Sequence, residues 1–231
     1  MKAEEADKEF EKYREALYDE AQRLASYIRL YHHLHERMRD RLDEMNLSPV
    51  FFKLTIDALF AAIVLGVDKL FGKSSERGFF HFLSFVENNR EIFSADELKS
   101  RKDDSHNQWM LSGEPITFQR IRNDRLKIEK IELLSSLKPR RDRPLTKFEK
   151  GYVLSKTKLE EDASIKWGEL SRIVTTMADI LNTYSAAYDG NVYSLGPFNI
   201  NDVDRILEVI RKYKGKNSYP PSSGESVPAR S

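Results

Sequence analysis

The sequence predicts an all-α protein: a helical bundle with a long N-terminal helix and a disordered C-terminal tail. Three observations carry this. Apolar residues recur at steps of three or four along most of the chain. Serines stand where helix N-termini need side-chain acceptors. Turn residues are scarce, with ten glycines and eight prolines in 231 residues, several of them among the last eighteen. That leaves too few for the turns of an all-β fold.

The first element is a long helix over residues 6–46. Phe10, Tyr13, Leu17, Ala21, Leu24, Ile28, Tyr31, Leu34, Met38, Leu42 and Met45 form one apolar stripe with a charged back. A helix of that length is expected to overhang a small bundle or to pair with a partner helix. His32, His33 and His35 point in different directions and form no metal-ligand pattern, so no metal is expected. Ser48-Pro49 opens the second helix, which is apolar on nearly every side to Phe71 and is therefore expected at the centre of the bundle. Gly72 is placed to end it. Phe79, Phe80, Phe82, Leu83, Phe85 and Val86 make a third buried helix. Ser94-Ala95-Asp96-Glu97 reads as a capping box.

Residues 101–113 are hydrophilic and read as a loop. Pro115 opens a helix with Ile116, Phe118, Ile121, Leu126, Ile128, Ile131 and Leu134 on one side and Arg120, Arg122, Arg125, Lys127 and Lys130 on the other. A basic, proline-punctuated loop follows at 138–144. Residues 145–162 are ambiguous. Ser164 caps the next long helix, Gly190 ends it, and Asn201 or Asp202 starts the last. One helical domain is expected over 1–213, its core at 48–213, with a flexible tail at 214–231 rich in Pro, Ser and Lys.

Composition excludes several classes. Without cysteine there is no disulfide framework, thiolate metal site or cysteine nucleophile. Gly-rich phosphate loops, HExxH and GxSxG are absent. With 38 basic and 37 acidic residues the chain is no uniformly basic nucleic-acid binder. The N-terminus is too charged for a signal peptide, and the longest apolar run, Ala58 to Val67, is short of the roughly 20 residues of a membrane span. A cytoplasmic protein with no membrane contact and no cofactor is expected.

Three segments, taken in order, resemble the abortive-infection (AbiU-type) branch of the HEPN superfamily. They are Ser48-Pro49-Val50-Phe51-Phe52 leading to Ala58-Leu59 and Asp68-Lys69-Leu70-Phe71-Gly72-Lys73; then Ile121-Arg122-Asn123-Asp124-Arg125-Leu126; then Trp167-Gly168-Glu169-Leu170 running on to Asn182-Thr183-Tyr184-Ser185. The resemblance implies a HEPN-like helical bundle, a dimer formed around the central motif, and in active members a metal-independent ribonuclease of a phage-defence or toxin–antitoxin system. There an Arg-polar pair steadies the RNA phosphate while a histidine four to six residues on moves the proton of the attacking 2′-OH. Guanidinium and imidazole suit those tasks.

On this basis Arg122 and Asn123 are the candidate catalytic pair. The positions separated from Arg122 by four to six residues are Lys127, Ile128 and Glu129, and Ile128 stands where the histidine is expected. The spacing R-x4-H occurs literally at Arg101 and His106, the alternative pair. Arg120, Arg125, Lys127, Arg140, Arg141 and Arg143 are the candidate RNA contacts. Phe148 and Tyr152 could stack on bases beside them. From Gln119 to Arg143 there are nine bases against four acids, and from Met1 to Asn46 nine against twelve. That asymmetry suits RNA, or a homodimer, antitoxin or other protein partner of opposite charge. An arginine-rich helix face is more often simply solvated. The rival function is a non-catalytic helical protein–protein interaction module.

Overall fold

A computed structural model describes residues 3–101, 116–131, 134, 167–196 and 199–216. Among these the regular structure is helical: α1 (Ala3–Asp40), α2 (Leu42–Met45), α3 (Pro49–Phe71), α4 (Phe79–Asn88), a 3-10 turn (Arg90–Phe93), α5 (Ala95–Arg101), α6 (Phe118–Glu129), α7 (Trp167–Asp189) and α8 (Asn201–Lys216). The all-α expectation holds. The last helix runs three residues into the segment expected as tail, and residues 217–231 lie outside the described residues.

The long leading helix does not overhang. Ala6, Phe10, Leu17, Ala21, Leu24, Ile28 and Leu34 are all buried, so its stripe is covered over most of its length. It packs mainly on α3 and α7. Nor does it run unbroken to residue 46. Arg41 leaves helical geometry (φ −133°, ψ 29°), and the chain re-enters as the single turn α2. This kink turns Met45 inward to join Leu34, Phe52, Leu59 and Leu207 in a small second core. Arg41 then faces Glu44 at 3.4 Å and Glu208 of α8 at 3.9 Å.

The main core is aromatic. Phe10 of α1 meets Phe82 of α4, Phe93 of the 3-10 turn and Tyr188 of α7 at centroid distances of 5.9, 5.1 and 4.5 Å. Burying rings of this size is a large share of the apolar driving force. α3 corrects a second expectation. It is not central: Ile63, Val64, Val67 and Leu70 are buried, but Val50, Phe51, Leu54 and Leu65 are exposed.

Cap chemistry agrees with the sequence in position more than in detail. Ser48 precedes α3 with Pro49 at its first position, yet its hydroxyl makes no cap bond. Ser94 Oγ accepts from the Glu97 N–H at 3.3 Å, while the Glu97 carboxylate turns to Arg101 at 3.4 Å. Gly190 ends α7 with φ 79°, a left-handed backbone that suits glycine. Gly78 is needed for space. A Cβ there would stand 2.7 Å from the Leu70 carbonyl oxygen, where α4 starts against the end of α3. Gly78→Ala should cost about 1–3 kcal/mol, as overpacking against backbone does. Urea denaturation checks this, and an unchanged midpoint would refute it.

Candidate functional site

Among the described residues the helix carrying the candidate motif starts at Phe118, three residues after Pro115, at a cap the sequence reading passed over. Thr117 Oγ1 accepts from the Arg120 N–H at 3.1 Å. From that start, positions 121, 124 and 128 fall on one side, and Ile121, Asp124 and Ile128 are the buried residues of α6. α6 lies between α4 and α7.

A carboxylate in the middle of an apolar stripe must be paired. Asp124 is 1 % exposed. Its Oδ2 accepts from the Tyr184 hydroxyl at 3.0 Å and from Arg120 Nε at 3.0 Å. Lys127 Nζ lies 3.1 Å from Oδ1. Arg120 also donates to Thr183 Oγ1 at 2.6 Å, so α6 is tied to α7 twice, by Arg120–Thr183 and by Tyr184–Asp124. Tyr184 is fully buried, and its hydroxyl is pushed well above the usual tyrosine range, first by burial and then by the Asp124 charge. On the other flank Arg125 donates to Ser84 Oγ at 3.0 Å and pairs with Glu87 at 2.6 Å, joining α6 to α4. Arg90 lays its guanidinium 3.3 Å from the Phe118 ring centre.

Three of the four bases on α6 are thus held by carboxylates. Arg122 and Asn123 are exposed. Asn123 accepts from Gln119 Nε2 at 2.9 Å. Among the described residues no side chain pairs with Arg122. Ile128, at the position of the motif histidine, is 0 % exposed and sits in the main core. Arg122 and position 128 therefore open to different surroundings.

The alternative arginine is placed elsewhere. Arg101 donates to the carbonyls of Ile92 (2.6 Å) and Tyr188 (3.3 Å), to Asp7 Oδ1 (2.6 Å) and to Glu97 (3.4 Å). It also covers the Tyr188 ring at 4.0 Å. It is a clamp joining the start of α1, the 3-10 turn, α5 and the end of α7. His106, Arg140, Arg141, Arg143, Phe148 and Tyr152 lie outside the described residues, as do Pro115 and Ser164.

The histidines of α1 are engaged in packing. His32 stacks on Trp167 at 3.6 Å, and burial lowers its pKa. His33 Nε2 lies 3.2 Å from Asp204, whose carboxyl is held below the usual range first by its hydrogen bond from Arg37. That pair fastens α8 to α1. Among the described residues no cluster of His, Asp and Glu could hold a metal.

The pinned motif helix, with its outward Arg-Asn pair, gives a frame for comparison with known proteins. A HEPN family model, described as AbiU2, matches residues 7–206. The chain belongs to the AbiU2 family. The match spans from the first turns of α1 into α8, so it covers all the elements that hold α6. AbiU2 membership places the chain in a HEPN-type, abortive-infection setting. No curated protein and no solved structure matched the chain significantly. What the sequence reading missed in this AbiU2 chain is the Asp124–Tyr184–Arg120 network. The signal was present: an aspartate at the centre of the Ile121, Ile128 stripe, where only a paired acid is tolerated.

Proposed function

We propose that this AbiU2-family protein binds RNA through the outward edge of α6, with Arg122 as its leading phosphate contact, and does not cleave RNA there. The observation that carries the reading is the split between neighbours on one helix. Arg122 is exposed and without an ion-pair partner among the described residues, while Arg120, Arg125 and Lys127 are held by Asp124 and Glu87. A free guanidinium suits a phosphate oxygen pair. At the place of the proton-transfer group stands a buried isoleucine, which has no proton to move.

The test is labelled RNA titrated with purified protein in EDTA over a salt series. Affinity should fall as salt rises, because neutralised phosphates release counterions. Arg122→Ala should weaken binding and flatten the log–log salt slope by about 0.7, the single-strand value for one phosphate. RNA cleavage that disappears with Arg122→Ala would replace this reading with a working ribonuclease. Absence of salt-dependent RNA affinity would leave the protein-interaction module, which the exposed apolar residues of α3 and α8 favour.

A further inference from the structure

The fold leaves one aromatic ring of α6 outside. Ile121 and Ile128 are buried, whereas Phe118 is 54 % exposed. Arg90, in the 3-10 turn after α4, lies over one face of the ring, 3.3 Å from its centre. With that face covered, an exposure of 54 % leaves the other face open to solvent. Arg90 has no carboxylate partner among the described residues, and its Nε is buried without a hydrogen-bond partner. The ring, rather than an acceptor, therefore holds this guanidinium in place. Arg122 follows Phe118 by four residues, so the two side chains leave the same side of α6, with Cβ atoms roughly 5–6 Å apart. An open aromatic face thus has one unpaired guanidinium behind it and another one turn along.

We propose that the open face of Phe118 is a stacking platform for one unpaired nucleobase of RNA, with the adjoining phosphate on Arg122. This deepens the RNA reading and rests on it. Guanidinium suits phosphate oxygens, and every base has a π-face that an aromatic ring accepts whatever the sequence. Arg90 is the positioning residue: it fixes the ring before the ligand arrives, which lowers the ordering cost of binding. The platform also selects the form of the strand. In a duplex the faces of each base are covered by its neighbours, while a single strand, loop or bulge offers a base that can be splayed out and stacked. The ligand class is therefore RNA with at least one unpaired nucleotide.

A protein partner is the other occupant that an exposed phenylalanine suggests, and the surroundings favour a base. Gln119, Arg122 and Asn123 are exposed and polar, and the two amides are bonded to each other. Leu126, 39 % exposed, is the next apolar side chain on this row of the helix, and Arg122 stands between it and the ring. One ring is enough for one base. The centre of a protein interface is instead a desolvated cluster of several anchors.

The test titrates the full-length protein with labelled oligoadenylate, and with its duplex with oligouridylate, over a salt series. Phe118→Leu keeps apolar bulk but removes the ring, and should weaken single-strand binding about 5- to 150-fold, the loss of one base–aromatic stack. Its log–log salt slope should stay that of the wild type, because no phosphate contact is lost, whereas Arg122→Ala flattens the slope. Phe118→Tyr, which keeps the ring, should bind as the wild type does. The duplex should bind more weakly than the single strand and be indifferent to Phe118→Leu. Circular dichroism should show the same helical content in every variant. Salt-dependent RNA binding that needs Arg122 but not the ring at 118 would overturn the platform and leave the RNA reading standing. No salt-dependent affinity for either form would overturn both. A Phe118→Leu variant that binds RNA normally but loses a co-purifying protein would assign the ring to a protein contact and overturn the proposal.

Discussion

Arg101→Ala is expected to lower unfolding free energy by about 2–4 kcal/mol, the range for removing one member of a largely buried, charge-assisted network. The arginine side chain is 16 % exposed and the Asp7 carboxylate 29 %. Truncation leaves the carbonyls of Ile92 and Tyr188 without their donor and Asp7 without its counter-charge. It also removes the guanidinium from the face of Tyr188. Arg101→Lys should recover less than half of the loss, because one ammonium cannot reach four acceptors spread over four segments. Urea unfolding with circular dichroism measures both. If Arg101 instead worked with His106 on RNA, Arg101→Ala would keep its stability and change RNA turnover. That result would return Arg101 to the candidate site.

The elements were legible because their signals are local. The step of three and four gives α1, α3, α4 and α7, and Ser48-Pro49 marks the start of α3. Two features were not legible, for one physical reason: they depend on which side of a helix meets which neighbour. α3 is apolar all round, so its pattern cannot say which side is left outside. The kink at Arg41 is where Arg41 and Met45 meet Glu208 and Leu207 of α8, more than 160 residues away. The site divides the same way. The sequence brings Arg122 and Asn123 forward as an exposed pair and shows that isoleucine replaces histidine. It counts Arg120, Arg125 and Lys127 as free cations, although Asp124 stands within one turn of Arg120 and Lys127 on α6 itself; only Glu87, the partner of Arg125, comes from another element, α4. A local excess of positive charge in sequence is thus a poor guide to the charge left for a ligand.

Asp124→Leu should be the second large loss, about 2–3 kcal/mol, because it strands the buried Tyr184 hydroxyl without an acceptor. Arg120 and Lys127 are partly exposed and regain water, so the cost falls short of that for a fully buried charge left unpaired. Tyr184→Phe alone should cost about 1 kcal/mol, since Asp124 keeps its two cations. The double variant should cost less than the sum, because leucine and phenylalanine leave no unmet polar group. Alkaline titration gives an independent check. The Tyr184 hydroxyl has a folded pKa above its unfolded value of 10.0, so its stabilising contribution is whole below that pH and is lost as pH rises beyond it. Tyr188, pushed up by burial to about 12, adds to the loss over the same interval. Tyr184→Phe should therefore flatten the fall in stability above pH 10 by up to about 1.4 kcal/mol per pH unit. An unchanged slope would mean that the hydroxyl is not held by the carboxylate. The RNA readout separates this network from the Arg101 clamp. Ile121 and Ile128 still hold this side of α6 inward, so Asp124→Leu should keep Arg122 outward and, by releasing Arg120 and Lys127, strengthen RNA binding of the folded fraction. Arg101→Ala, acting on the far segments of the bundle, should leave the affinity of its folded fraction unchanged.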